Sequence, residues 1–240
     1  MKVAQPTAQM FKTVTPLMTL FLVNILCGLG GTQRINLPMF TVLRRFSILF
    51  TLLLERKMLG VISSPAVNLA VALMIGGAFI AALFDLTFDL QGYLMILGND
   101  LFTALYGVTL KTSLSGGQIK KNDLLFYNSL LSAAILPVIM FAFSSHELEQ
   151  VWEFEGWADP AFRAGFCLAA LMGSILNYSI FYCTQVNSAL TTTVVGCLKN
   201  VLTNYLGMLM GDYVFSFLNF LGLHVSIAGS LVYSWATFKG

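Results

Sequence analysis

The sequence predicts an all-α, polytopic transmembrane helical bundle, on three observations. Charged residues make up 10% of the 240-residue chain and hydrophobic ones 57%. Soluble domains average about 25% charged, and so little polarity could not cover a soluble core of this length. Apolar runs approaching the roughly 20 residues needed to cross a bilayer recur along the chain. Lys and Arg gather on alternate connections between those runs, the asymmetry that fixes membrane orientation.

Eight spans follow in order, at 13–31, 39–54, 66–84, 92–110, 124–143, 162–182, 190–210 and 215–238. The second is short on these bounds and extends to 36–55 on wider ones. Three starts carry helix-capping chemistry: Ser64-Pro65, Asn122-Asp123 and Asp159-Pro160. In each a polar side chain can cap free amides, and proline is tolerated in a first turn. Residues 1–10 are polar, and the apolar run after them is too long for a secretory signal.

With the N-terminus on side one, eight cations fall there: Lys2, Lys12, Arg56, Lys57, Lys111, Lys120, Lys121 and Lys239. Side two holds two, Arg34 and Arg163. Side one is therefore expected to be cytosolic, with both termini. The acidic stretch 144–160, including His146, reads as a solvated lumenal connection. Cys27, Cys167, Cys183 and Cys197 lie in apolar stretches at irregular spacing, as small buried hydrophobes do. A net charge of +2 gives no sign of a nucleic-acid partner.

The remaining cations, Arg44, Arg45 and Lys199, sit inside the spans. A cation at the bilayer centre costs about 2.5–3.5 kcal/mol on the mildest scale, so such residues usually face a bundle interior or an aqueous cavity. A cavity lined with fixed positive charge suits an anionic cargo. Each residue also has a structural reading. Arg44 or Arg45 could snorkel to an interface. Lys199 could pair with Asp100, which is mid-span in the fourth helix. Adjacent helical residues point about 100° apart, so one arginine is expected to face cargo and the other an acid or a headgroup. Gly196, three residues before Lys199, leaves room for a ligand or a neighbouring helix.

Amides, hydroxyls and rings complete the set. Tyr127 and Asn128, in Phe126-Tyr-Asn-Ser129, suit a nucleobase edge, although an interfacial tyrosine is usually an aromatic-belt residue. Asn177-Tyr178, Asn187 and Thr191 to Thr193 add more, with helix packing the ordinary alternative for each. A nucleotide joined to a sugar carries partners for all of these groups, as do other organic anions. The residues hold no nucleophile–base pair and no metal-binding acidic pair on a loop, so an enzyme is not expected, and neither is a metal or other cofactor.

The block Asn36-Leu-Pro-Met-Phe-Thr-Val-Leu-Arg-Arg-Phe-Ser-Ile-Leu-Phe50 resembles the nucleotide-sugar transporters of the drug/metabolite transporter superfamily. The subgroup it most resembles carries UDP-glucuronic acid, UDP-N-acetylgalactosamine and UDP-N-acetylglucosamine. Phe154-Glu-Gly-Trp-Ala-Asp159, the block from Asn187 to Asn200, Gly211-Asp-Tyr-Val-Phe215 and Ser226-Ile-Ala-Gly-Ser-Leu-Val-Tyr233 resemble it too. The resemblance implies a Golgi or endoplasmic reticulum membrane and exchange of a cytosolic UDP-sugar for lumenal UMP, without ATP. Phe126 to Ser129 is similar to the family's Phe-Tyr-Asn-Asn motif, which contacts the base. Ser129 departs from its last position, which argues against GDP-mannose. Gly196-Cys-Leu-Lys-Asn200 is similar to the family's Gly-Ala-Leu-Asn-Lys, which contacts phosphate and sugar, with Lys199 and Asn200 in swapped order. Asn177 and Thr192 fall at further substrate-contacting positions.

The family has ten spans in two inverted halves of five. This chain then supplies eight as one transmembrane domain: residues 13–84 as the remainder of the first half and 92–238 as the second, with the first two family helices missing. The alternatives are an inactive or regulatory truncated relative, and a carrier of GDP-mannose or another organic anion. A homodimer is compatible with the resemblance.

Overall fold

A computed structural model describes residues 7–35, 37–83, 89–116, 119–143, 150–196 and 217–239. Among these there is no strand, and the chain is a bundle of helices. They are α1 (Ala8–Thr32), α2 (Leu37–Leu43), α3 (Phe46–Leu54), α4 (Pro65–Leu83), α5 (Leu90–Ser115), α6 (Lys121–Phe143), α7 (Pro160–Val186), α8 (189–196) and α9 (Phe217–Lys239). The expected all-α membrane bundle is therefore what the chain forms. Among the described residues four helices are long and apolar enough to span: Met10–Thr32, Leu90–Ser115, Lys121–Ala142 and Pro160–Val186. Pro65–Ile80 and Phe220–Ala236 are shorter apolar helices. The second half of the seventh expected span lies outside the described residues.

Two of the three expected caps form. Ser64 accepts from the Val67 amide at 3.4 Å ahead of Pro65, and Asp159 accepts from Ala161 at 2.8 Å ahead of Pro160. The third does not cap, because α6 already starts at Lys121 and takes Asn122 and Asp123 into its first turn. Asp89, by contrast, caps α5 by accepting from Gly92 at 2.6 Å. It also faces Arg34 at 4.0 Å, an exposed pair adding under about 1 kcal/mol.

Small residues hold the bundle together, as they must where lipid removes the hydrophobic drive between helices. On α4 and α9, Gly77 lies against the Gly222 carbonyl and the Ser226 amide, and Gly229 against the Met74 amide and the Ala70 carbonyl. Ser226 donates to the Met74 carbonyl at 2.9 Å across this seam. On α1 and α5, Gly28 faces Asn99 and Gly31 faces Ile96.

The second expected span is not one helix. It breaks at Arg44-Arg45 into α2 and α3. The Arg45, Ser47 and Ile48 amides reach back only three residues, to Val42, Arg44 and Arg45, and Ser47 donates its hydroxyl to the Arg44 carbonyl at 2.6 Å. That tightening turns the two guanidiniums differently from a uniform helix.

Candidate cargo site

Arg44 and Arg45 leave the break in different directions. Arg45 is 1% exposed and donates to the Ser226 hydroxyl on α9. Its charge is spent on the scaffold. Arg44 is half-buried; it donates to Thr103 on α5 at 3.3 Å and lies over the Phe40 ring at 5.7 Å. The expected acid or headgroup is not what Arg45 meets, since its partner is a serine hydroxyl, and Arg44 is the one beside the polar interior.

That interior is a seam between α1 and α5. Asn24 donates to the Asn99 carbonyl at 2.9 Å and to the Thr103 hydroxyl at 2.5 Å, and the Asn99 amide returns to the Asn24 carbonyl at 2.5 Å. Asp100 is fully buried next to Asn99, and neither of its carboxylate oxygens has a hydrogen-bond partner among the described residues. Arg44 is the cation whose charge reaches it. Burying a carboxylate without hydrogen bonds costs several kcal/mol, and ionisable groups kept inside a membrane at that cost usually mark a transport path.

One turn further along α5, Tyr106 reaches toward Asn128 on α6. Tyr106 also packs against Phe21 at 5.6 Å and Phe181 at 6.5 Å between ring centres. Asn128 is fully buried, yet neither end of its amide has a hydrogen-bond partner among the described residues. The Tyr106 and Ser132 hydroxyls are buried and unpartnered in the same way. Ser132 follows Asn128 by four residues and shares its face. Tyr106 and Asn128 thus face one another without a well-formed hydrogen bond, whereas buried polar groups are normally satisfied.

The other expected residues lie as follows. Tyr127 is buried in the core formed by Met10, Val14, Leu17, Tyr106, Leu110, Leu124 and Phe181. Ser129 is exposed, turned away from Asn128. Asn177 is half-buried on α7. Its neighbour Tyr178 turns outward to Lys121, whose ammonium sits 4.7 Å from that ring and 4.5 Å from Tyr182. Thr192 on α8 accepts from Thr184 at 3.1 Å and donates to the Ser188 carbonyl at 3.0 Å, which ties α8 to α7. Among the described residues nothing lies within 4 Å of a Cβ placed on Gly196. Lys199 and Asn200 lie outside the described residues. Among the described residues no cluster of His, Cys, Asp or Glu could hold a metal ion.

A profile of the Triose-phosphate Transporter family matches residues 5–234. The chain belongs to that family. It is 48% identical over 230 residues to UDP-sugar transporter UST74c of Drosophila melanogaster, covering 95% of this chain and 61% of that protein. It is 46% identical to UDP-sugar transporter sqv-7 of Caenorhabditis elegans, over 95% of this chain and 70% of the relative. The Nucleotide sugar transporter SLC35D2 of Mus musculus is 45% identical, over 93% and 68%. The chain thus spans about three fifths of the fly relative and about two thirds of the other two. A protein of known crystal structure superposes with a TM-score of 0.67 at 13% identity, over 97% of this chain and 79% of that one. That likeness concerns the fold alone. Family and relatives are transporters, so the expectation of no enzyme agrees with them.

Asn24, Asn99, Thr103, Tyr106 and Ser132 were not expected at the site. The sequence did offer a signal for some of them. Asn99 and Asp100 are consecutive polar residues in mid-span, and Ser132 repeats the face of Asn128 one turn on. Asn24 and Tyr106 carry none, because a single asparagine or tyrosine in a span is unremarkable.

Proposed function

We propose that this family member is a nucleotide-sugar antiporter, moving a cytosolic UDP-sugar into the Golgi or endoplasmic reticulum lumen in exchange for UMP. One observation carries the reading: relatives named as UDP-sugar transporters align over 95% of the chain at 46–48% identity. The site geometry supports it. Arg44 offers a cation to the phosphates, and the Asn128 amide on α6, facing Tyr106 one turn along α5 from Thr103, offers a donor and an acceptor to the base. The hydroxyls of Tyr106 and Ser132 stand beside it. Lys199, Asn200 and Gly196 are assigned to phosphate and sugar. The eight-to-two excess of Lys and Arg on one side supports cytosolic termini.

Asp100 is read as the internal counter-charge of Arg44, which a cargo phosphate replaces. Exchange of this kind needs no metal and no ATP. Purified protein in proteoliposomes loaded with UMP is expected to take up radiolabelled UDP-sugar, and GDP-mannose is expected to compete poorly. Uptake no greater than in protein-free vesicles would overturn the reading. A thermal-shift series separates base from sugar, since ligand at 100 times its Kd adds about 2.7 kcal/mol to the folded state.

A further inference from the structure

The break between α7 and α8 is held by two charges from elsewhere in the chain. Glu55 lies in the wide π-type turn Glu55–Leu59 after α3 and is 2% exposed. Its carboxylate accepts from the Leu190 amide at 3.0 Å and lies close to the Ala189 amide. Those are free N–H groups of the first turn of α8, where a helix carries partial positive charge. Lys111, near the end of α5, donates to the Gln185 carbonyl at 3.2 Å and to the Asn187 carbonyl. Those carbonyls close α7, where the helix carries partial negative charge. An acid therefore holds the N-terminus of α8, and a base holds the C-terminus of α7. Lys111 is also near enough for its charge to act on the Glu55 carboxylate.

Neither residue belongs to the cargo site, yet both hold the start of the helix that carries Gly196. Thr51 lies 3.3 Å from Thr193, which extends the same contact one turn along α8. Glu55, Arg56, Lys57 and Lys111 all belong to the Lys/Arg-rich side. With Glu55 and Lys111 engaged, α3, α5, α7 and α8 are drawn together at that side.

We infer that Glu55 and Lys111 are a helix-end latch that keeps the Lys/Arg-rich side shut, and that cargo reaches the site only when it releases. The latch itself stands on geometry; its link to cargo rests on the antiport reading above. Its chemistry makes a specific demand. A simple ion pair tolerates exchange of its partners. A helix-end latch does not, because reversal sets an acid against the carbonyl end and a base against the amide end.

The test uses the full chain with Cys27, Cys167, Cys183 and Cys197 replaced by serine and with Ala189→Cys, a position 1% exposed at the joint. Labelling by a hydrophilic maleimide in vesicles opened on both faces reads release without any cargo. Glu55→Gln keeps an acceptor and its shape, so the fold survives while the charge is lost. We expect it to raise the labelling rate at least threefold. Lys111→Met is expected to do the same, and the reversal Glu55→Lys with Lys111→Glu to label as fast as either. Parental labelling in Glu55→Gln, or restoration by the reversal, would overturn the latch. UMP-driven uptake measured on the same variants reports separately on the antiport reading: loss of uptake in the parent would sink that reading and leave the labelling result standing.

Discussion

Gly77→Ala is expected to force α4 and α9 apart and to destabilise the bundle more than any other single-atom addition in that seam. The added Cβ would stand 2.6 Å from the Ser226 amide nitrogen and closer still to the Gly222 carbonyl oxygen. Both obstacles are backbone, which cannot swing aside as a rotamer can. Overpacking of this kind costs about 1–3 kcal/mol and more where nothing can yield. Separation also pulls Ser226 from the Met74 carbonyl and from Arg45, which leaves a buried guanidinium short of a partner. The neighbouring Gly76 supplies the control. A Cβ there meets nothing within 4 Å, and alanine is the better helix former by roughly 1 kcal/mol. Thermal unfolding in detergent should show Gly77→Ala falling well below the parent and Gly76→Ala level with it or above. Equal melting temperatures for the two variants would contradict the close approach.

Asn128→Leu is expected to do the opposite to stability and to end base recognition. The asparagine amide is fully buried with no hydrogen-bond partner among the described residues, a condition costing about 1–3 kcal/mol. Leucine has similar volume and nothing to satisfy, so the melting temperature should rise. The two hydrogen bonds that the amide could give a uracil edge are worth about 0.5–1.5 kcal/mol each, so UMP affinity should fall by roughly 5- to 150-fold. Calorimetric UMP titration and thermal unfolding check both halves. A lower melting temperature with parental UMP affinity would make Asn128 a structural residue and remove the base from this position. A gain in stability with a loss of binding is what a group kept for its ligand should show.

The spans were legible because bilayer thickness fixes helix length and the apolar runs obey it. The third, fourth and sixth expected spans overlap α4, α5 and α7 closely, and the caps at Ser64 and Asp159 were readable from the dipeptides alone. Arg44-Arg45 was legible as an intramembrane charge but not as a helix break, since no proline or glycine marks it. The break comes from three-residue turns and the Ser47 hydroxyl, which composition does not reveal. Glu55 read only as the last residue of the second span on its wider bounds, 36–55. Its partner amide, Leu190, lies 135 residues away, a pairing that only the folded chain can disclose. Asn128 was singled out for its chemistry. That Tyr106 and Ser132 share its unsatisfied state depends on how α5 and α6 face one another.

The seam between α4 and α9 has a further consequence for how such a carrier could alternate. Sliding between packed helices is usually absorbed by small rotamer adjustments of the side chains at their contact. At Gly77 and Gly229 main chain meets main chain, with only the Ser226 Cβ and the Met74 side chain beside it. The two helices therefore behave as a single welded strut that joins an early part of the chain to its end. In the proposed antiport, whatever swings to face one compartment and then the other would pivot against that strut, which leaves the motion to the other helices, the joint between α7 and α8 among them.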